Sequence, residues 1–205
     1  MTTGTHRSTI GTAQAELEAL LADLLPRQGG WDAEGYLWLT DHTNRLVEFT
    51  DGLIEVLPMP TDKHQAILSH FFLAFSAFLQ PHGVVRFAPL RVQVRPGAYR
   101  EPDLLALRDA RDGRRQNRFW LGADLVLEVV SPDKPERDLV EKRGDYAVAG
   151  IPEYWIVDPR NETITVLRLE HDVYVEHGAF RRDARATSPT LTGFAVEVDA
   201  MFDAD

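Results

Sequence analysis

Glu128 stands in the stretch DLVLEVVSPDKPERDLVEK, Asp124 to Lys142, with Leu125, Val126, Leu127, Val129 and Val130 around it. Those neighbours have the composition of a strand covered on both faces, where a carboxylate loses its hydration. An uncompensated buried charge costs several kcal/mol, so a metal ion, a cation or a raised pKa has to balance it. Two other residues are placed to take part. Asp103 follows Pro102 at the entrance of the apolar segment DLLAL, one strand earlier. Lys142 falls on the inward stripe of a helix expected from about Pro135 to Gly150, together with Leu139, Tyr146 and Ala149. Its stem can carry the ammonium over the strand to Glu128. The plainer alternative is an Asp138 to Lys142 pair, four residues apart on a solvated flank. Two acids on neighbouring strands with a lysine behind them would hold one or two divalent cations through oxygen ligands, which suits Mg²⁺ or Mn²⁺. The chemistry of such a site is phosphodiester hydrolysis. The ion polarises a phosphate oxygen and acidifies a bound water, while the lysine stabilises charge on the phosphorane.

The elements that must position these groups follow from punctuation and period. AQAELEALLADLL places Leu17, Leu20, Leu21 and Leu24 on one helical face. After the breaker PRQGG, Asp32 is a candidate N-cap, and RLVEFTDGLIEVLPM predicts a β-hairpin around Asp51-Gly52. A two-residue turn pairs Phe49 with Ile54 and Val47 with Val56, and opposes Glu48 to Glu55 on the other face. The favoured reading of that face is solvated; the sharper one has Glu48 looking into the cavity of Glu128. TDKHQAILSHFFLAFSAFLQPHG reads as a helix opened by Thr61 or Asp62 and closed by Pro81 and Gly83, with Ile67, Leu68, Phe71, Phe75 and Phe78 buried. His64 lies one turn earlier on that face and reads as a core or capping residue near the site. Two or three strands are expected between Val84 and Ala110, and IPEYWIVDP and ETITVLRLE complete the sheet.

At 205 residues and 44% hydrophobic, the chain fits one domain, residues 31–205, behind an N-terminal extension, residues 1–30, with one helix. The absence of cysteine excludes disulfides and thiolate metal sites. No apolar run approaches a signal peptide or a membrane span, so a cytoplasmic protein without membrane contact is expected. A formal charge of −10 argues against indiscriminate nucleic-acid binding, though not against a local basic groove. Arg108, Arg111, Arg114, Arg115 and Arg118 supply such a feature in the loop RDARDGRRQNR, which links the Asp103 strand to the Glu128 strand. They are expected either to contact a phosphate backbone or simply to be solvated.

EPDLLAL, then LVLEVVSPDKPERDLVEKRGDYAVAGIPEYWIVDP, resembles the Uma-two family of restriction endonuclease-like proteins. LVEFTDGLIEVLPMPTDKHQ is similar to that family's N-terminal Glu, Asp-Gly turn and helix-opening His, and the likeness runs from about Trp31 to Leu169. The resemblance implies the PD-(D/E)XK nuclease fold, an α/β (α+β) domain whose mixed central sheet is flanked by helices. It makes Asp103 the motif aspartate, Glu128 the second acid and Lys142 a lysine displaced onto the next helix, with Glu48 and His64 near the site. The departure is Val130, which occupies the position two residues after the second acid where the common motif has its lysine. Two function classes follow. One is a metal-dependent DNA endonuclease, dimeric so that two sites can cut two strands. The other is an inactive relative that retains the fold as a binding or regulatory module.

Overall fold

The computed structural model describes residues 25–131 and 136–204, and the helix expected around Leu17 to Leu24 lies outside them. The first described helix, α1 (Ala33–Asp41), is capped by Asp32, whose carboxylate accepts from the Gly35 amide at 2.7 Å. Next come β1 (Val47–Thr50) and β2 (Leu53–Val56), joined by Asp51 and Gly52 at φ +47° and +88°, the left-handed pair that a tight hairpin turn needs. A side chain at Gly52 would also sit 2.7 Å from the Gly29 carbonyl oxygen. The register is the expected one, Val47 with Val56, Glu48 with Glu55 and Phe49 with Ile54. Along the outer edge of β2 the Gln28 amide imitates a partner strand: its oxygen accepts from the Ile54 N–H and its nitrogen donates to the Ile54 carbonyl, both at 2.9 Å.

Helix α2 (Asp62–Leu79) has Thr61 as its N-cap. Four strands follow where two or three were expected: β3 (Val84–Phe87), β4 (Val92–Arg95), β5 (Ala98–Arg100) and β6 (Leu104–Leu107). Pro89 and the Pro96-Gly97 pair interrupt what would otherwise read as longer runs. Strand β7 (Leu125–Val129) leads through the crossover helix to β8 (Glu153–Asp158), then come β9 (Thr163–Glu170) and β10 (Val173–Phe180). A two-stranded sheet of β11 (Arg185–Thr187) and β12 (Ala195–Glu197), with α4 (Val198–Phe202), completes the described chain. The central sheet has the order β10-β9-β8-β7-β6-β3, mixed because β7 and β8 run parallel; a second sheet has the order β2-β1-β5-β4.

Strand β7 is covered on both faces, as its composition implied. Leu125, Leu127 and Val129 pack with Trp155 and the α2 residues Ile67, Leu68, Phe71 and Phe75, whereas Val126 and Val130 pack with Tyr146 and Tyr154. Phe78 departs from the expected stripe, being 42% exposed and edge-on to Phe194; Leu79, a turn after Phe75, takes the buried place. The crossover departs too. It opens with a π-helical turn, Arg137–Glu141, before α3 (Lys142–Val148). Winding by five residues rather than four shifts the helical phase. Arg137 and Asp138 therefore face inward and Leu139 is 37% exposed, while Lys142 and Tyr146 keep the buried positions expected of them.

Candidate active site

Strands β6 and β7 are antiparallel with Leu104 opposite Leu127, which brings Asp103, at the entrance of β6, beside Glu128, near the end of β7. The Val129 amide donates to Asp103 Oδ2 at 2.7 Å and the Asp103 amide lies 3.5 Å from Glu128 Oε2. From α3, Lys142 Nζ reaches Glu128 Oε2 at 2.8 Å, Asp138 Oδ1 at 3.0 Å and Glu48 Oε1 at 3.8 Å. The expected convergence of Asp103, Glu128 and Lys142 is thus present, with Glu128 near the end of its strand where the strand centre was expected. Val130 fills its strand position with an apolar side chain, and the helix supplies the ammonium instead. The Asp138 pair offered as the plain alternative also forms, but buried and sharing the same lysine.

Glu48 is not solvated, against the favoured reading of the hairpin. It is buried, and accepts from Arg100 at 2.9 Å, from Arg137 and from the Glu101 amide. The β5 to β6 connection and the crossover pack over that face of the hairpin, which no local pattern foretells. Burial alone would raise the Glu48 carboxyl, but Lys142, Arg100 and Arg137 together hold it down at about 2. Glu128 behaves in the opposite way: its burial outweighs the attraction of Lys142, and Asp103 and Asp138 push it further above the carboxylate range. Lys142 is nonetheless held above its ordinary value despite burial, by Glu128, Glu48 and Asp138. The two shifts agree once the groups are counted, because one ammonium is shared among three carboxylates. The lysine is oversupplied with anions and Glu128 is undersupplied with cations.

Tyr146 donates to Glu128 Oε1 at 2.5 Å, and its hydroxyl is held protonated by burial and by the charge of Glu128. His64 Nε2 lies 3.1 Å from Asp103 Oδ2. Burial disfavours its charge, yet the hydrogen bond to Asp103 prevails and raises its pKa. His64 thus stands beside the site as expected, as a hydrogen-bonding partner of Asp103. A cavity of about 590 Å³ opens over Asp103, Glu128, His64 and Lys142.

Among the described residues no three His, Asp or Glu side chains form a ready metal cage. The donor set still suits a hard cation. Both hydrogen bonds that Asp103 accepts fall on Oδ2, leaving Oδ1 without one among the described residues. Mg²⁺ keeps several waters and commonly takes one or two carboxylates plus phosphate oxygens, so a pair such as Asp103 and Glu128 could offer it enough protein ligands.

The arginine loop is not brought to this site. Because β6 and β7 are antiparallel, the residues joining them lie at the opposite end of both strands from Asp103 and Glu128. Much of its charge is also engaged. Arg114 pairs with Asp112 and Asp124, each at 2.7 Å, Arg118 with Asp41 and Glu34, and Arg108 with Asp124 at 3.4 Å. Arg115 donates to the Ala110 carbonyl, and Arg111 is exposed. Residues that the sequence did not single out complete the site. Arg100 bridges Glu48 and Asp145, Arg137 joins Glu48 to Glu55, and Glu101, pushed up to about 8 by burial, accepts from the Val47 amide. None of these three carried a signal in its spacing: Arg137 stands five residues before Lys142, out of α-helical phase with it, whereas Tyr146, four residues after it, was already on the expected inward stripe.

No curated protein matches the sequence. Its fold is shared with a crystal structure described as that of a "putative nuclease belonging to DUF820" from Anabaena variabilis, at a TM-score of 0.67 and 22% identity, covering 78% of this chain and 92% of the other. The profile of the Uma2 family, described as "Putative restriction endonuclease", matches residues 33–199. The chain belongs to the Uma2 family of restriction endonuclease-like proteins.

Proposed function

We propose that the protein is a metal-dependent endonuclease that hydrolyses DNA phosphodiester bonds. The observation that carries this reading is the convergence of Asp103, Glu128 and Lys142, with Lys142 Nζ 2.8 Å from Glu128, under one open cavity. Asp103 and Glu128 would hold Mg²⁺ or Mn²⁺, which supplies Lewis-acid polarisation of a phosphate oxygen and a more acidic water. Lys142 keeps its proton and presents it to charge growing on the phosphate. Glu48, locked between Arg100 and Arg137, orients that lysine, and His64 fixes the rotamer of Asp103. Tyr146 does the same for Glu128. A homodimer would bring two such sites to two strands.

One observation favours the second reading, an inactive module. Both oxygens of Glu128 are already satisfied, by Lys142 and by Tyr146, so the cluster is also a competent structural ion network. Incubating plasmid and linear DNA with the protein, with and without Mg²⁺ or Mn²⁺, separates the two. Metal-dependent cleavage lost in Asp103→Asn is the expected result. Persistent absence of cleavage in the wild-type protein with either ion supports the module.

A further inference from the structure

The depth of the site and the nature of its walls bear on which form of nucleic acid can reach it. Glu128 and Lys142, at the floor, are 2% and 4% exposed. The cavity of about 590 Å³ is in the range that encloses one small ligand, roughly 300–1,000 Å³. Its walls are largely apolar: Val56 ends β2, Pro58 and Met59 follow it, and Val130 and Pro159 stand directly after β7 and β8. Val56 and Met59 are 56% and 70% exposed, although both are large and apolar. Met59 stands between Pro58 and Pro60, whose rings fix the backbone on both sides, so its exposure belongs to a stiff rim. Besides Lys142 at the floor and Arg137, which is taken by Glu48 and Glu55, two cations line the cavity. The Lys63 ammonium is taken by the carbonyls of Phe202 and Ala204, at 2.6 and 2.8 Å, whereas Arg160, paired with Asp158 through Nε at 2.8 Å and Nη2 at 2.7 Å, keeps a side chain 42% exposed at the cavity edge.

A phosphate in an intact duplex lies on a convex surface with its bases stacked away behind it, so apolar walls around a recessed floor gain nothing from it. An unpaired nucleotide offers a phosphate and an uncovered base face together, and burying that face against aliphatic side chains removes apolar surface from water whatever the base. Resting on the nuclease reading, we propose that this cavity accepts an unpaired nucleotide. Its base lies against Val56, Pro58 and Met59, its phosphate meets the acids and Lys142 at the floor, and Arg160 holds a neighbouring phosphate. The substrate class is then single-stranded DNA, or duplex interrupted by a bulge or flap.

The test uses three oligonucleotides of one sequence carrying 2-aminopurine: single-stranded, fully paired, and paired with a central bulge. With Ca²⁺ present, the single strand and the bulge should bind about tenfold more tightly than the duplex, with a change in 2-aminopurine emission. Val56→Ser with Met59→Ser should erase about that factor; both side chains are exposed, and Met59→Ser alone serves should the double variant unfold. Equal affinity for paired and unpaired forms, or affinity indifferent to these substitutions, would overturn the proposal. Cleavage with Mn²⁺ is read separately. Equal cutting of all three overturns the proposal and leaves the nuclease reading intact, whereas selective binding without cutting sustains the proposal and removes the nuclease reading.

Discussion

Replacing Glu128 by Gln keeps the shape of the side chain and deletes its charge. Were Lys142 paired with Glu128 alone, the change would strand a buried ammonium and cost about 3 to 5 kcal/mol. Here the ammonium retains Asp138 at 3.0 Å and Glu48 at 3.8 Å, but an amide has one acceptor: with its oxygen accepting from Tyr146, its NH2 faces Lys142, donor against donor. The loss should therefore stay at about 1 to 3 kcal/mol, the cost of leaving one buried donor without its partner. Its sign depends on pH. Burial lifts the folded-state pKa of Glu128 above its unfolded value, so the folded protein binds a proton that the unfolded chain has released. Wild-type stability then falls as pH rises from the ordinary carboxylate range towards the raised folded value, by at most about 1.4 kcal/mol per pH unit, while the Gln variant escapes this decline. Urea unfolding at pH 5 and pH 8, without metal, should show the variant gaining on wild type at the higher pH. Cleavage with Mn²⁺ should drop by orders of magnitude. A loss above 3 kcal/mol at both pH values, together with undiminished cleavage, would refute the catalytic role and the charge count behind it.

Lys142→Met should be more damaging, about 3 to 5 kcal/mol by urea unfolding at pH 7, because it leaves Glu128, Asp138 and Glu48 without their shared cation. Mg²⁺ or Mn²⁺ should raise the thermal midpoint, and titration calorimetry should lose the heat in Asp103→Ala; equal affinity in the two proteins would place the ion elsewhere. Arg160→Ala should weaken oligonucleotide binding and flatten the slope of log affinity against log salt by about 0.7 to 0.9. Arg114→Ala should instead leave that slope unchanged and cost about 1 to 3 kcal/mol, since its partner Asp124 is buried. A flattened slope in Arg114→Ala would return the arginine loop to the nucleic-acid surface.

The hairpin could be read from the sequence because Asp51-Gly52 admits one turn geometry, and that geometry fixes every pairing from Val47 to Val56. Lys142 was legible for a similar reason: a lysine in phase with Tyr146 on a helix that must cover the sheet has few places to go. What escaped depended on tertiary placement or on helical phase. Glu48 faces outward in an isolated hairpin and is enclosed only when β5 and the crossover arrive with Arg100 and Arg137. The π-turn exchanged Leu139 for Asp138, a slip of one residue that no α-helical period contains. The arginine loop was visible as a basic loop, yet its distance from the acids follows from the antiparallel order of β6 and β7, which places the connection between two strands opposite their other ends.

The pairing of Gln28 with β2 bears on self-association. An edge strand with a free N–H and carbonyl is a template for a foreign strand, and β2 also carries the exposed Leu53 and Val56. A single amide side chain occupies both main-chain groups of Ile54 and so does the work of a neighbouring strand at the length of one residue. The hairpin that carries Glu48 therefore ends in a blocked edge, and the protection against intermolecular β-sheet growth rests on a residue that lies outside every strand.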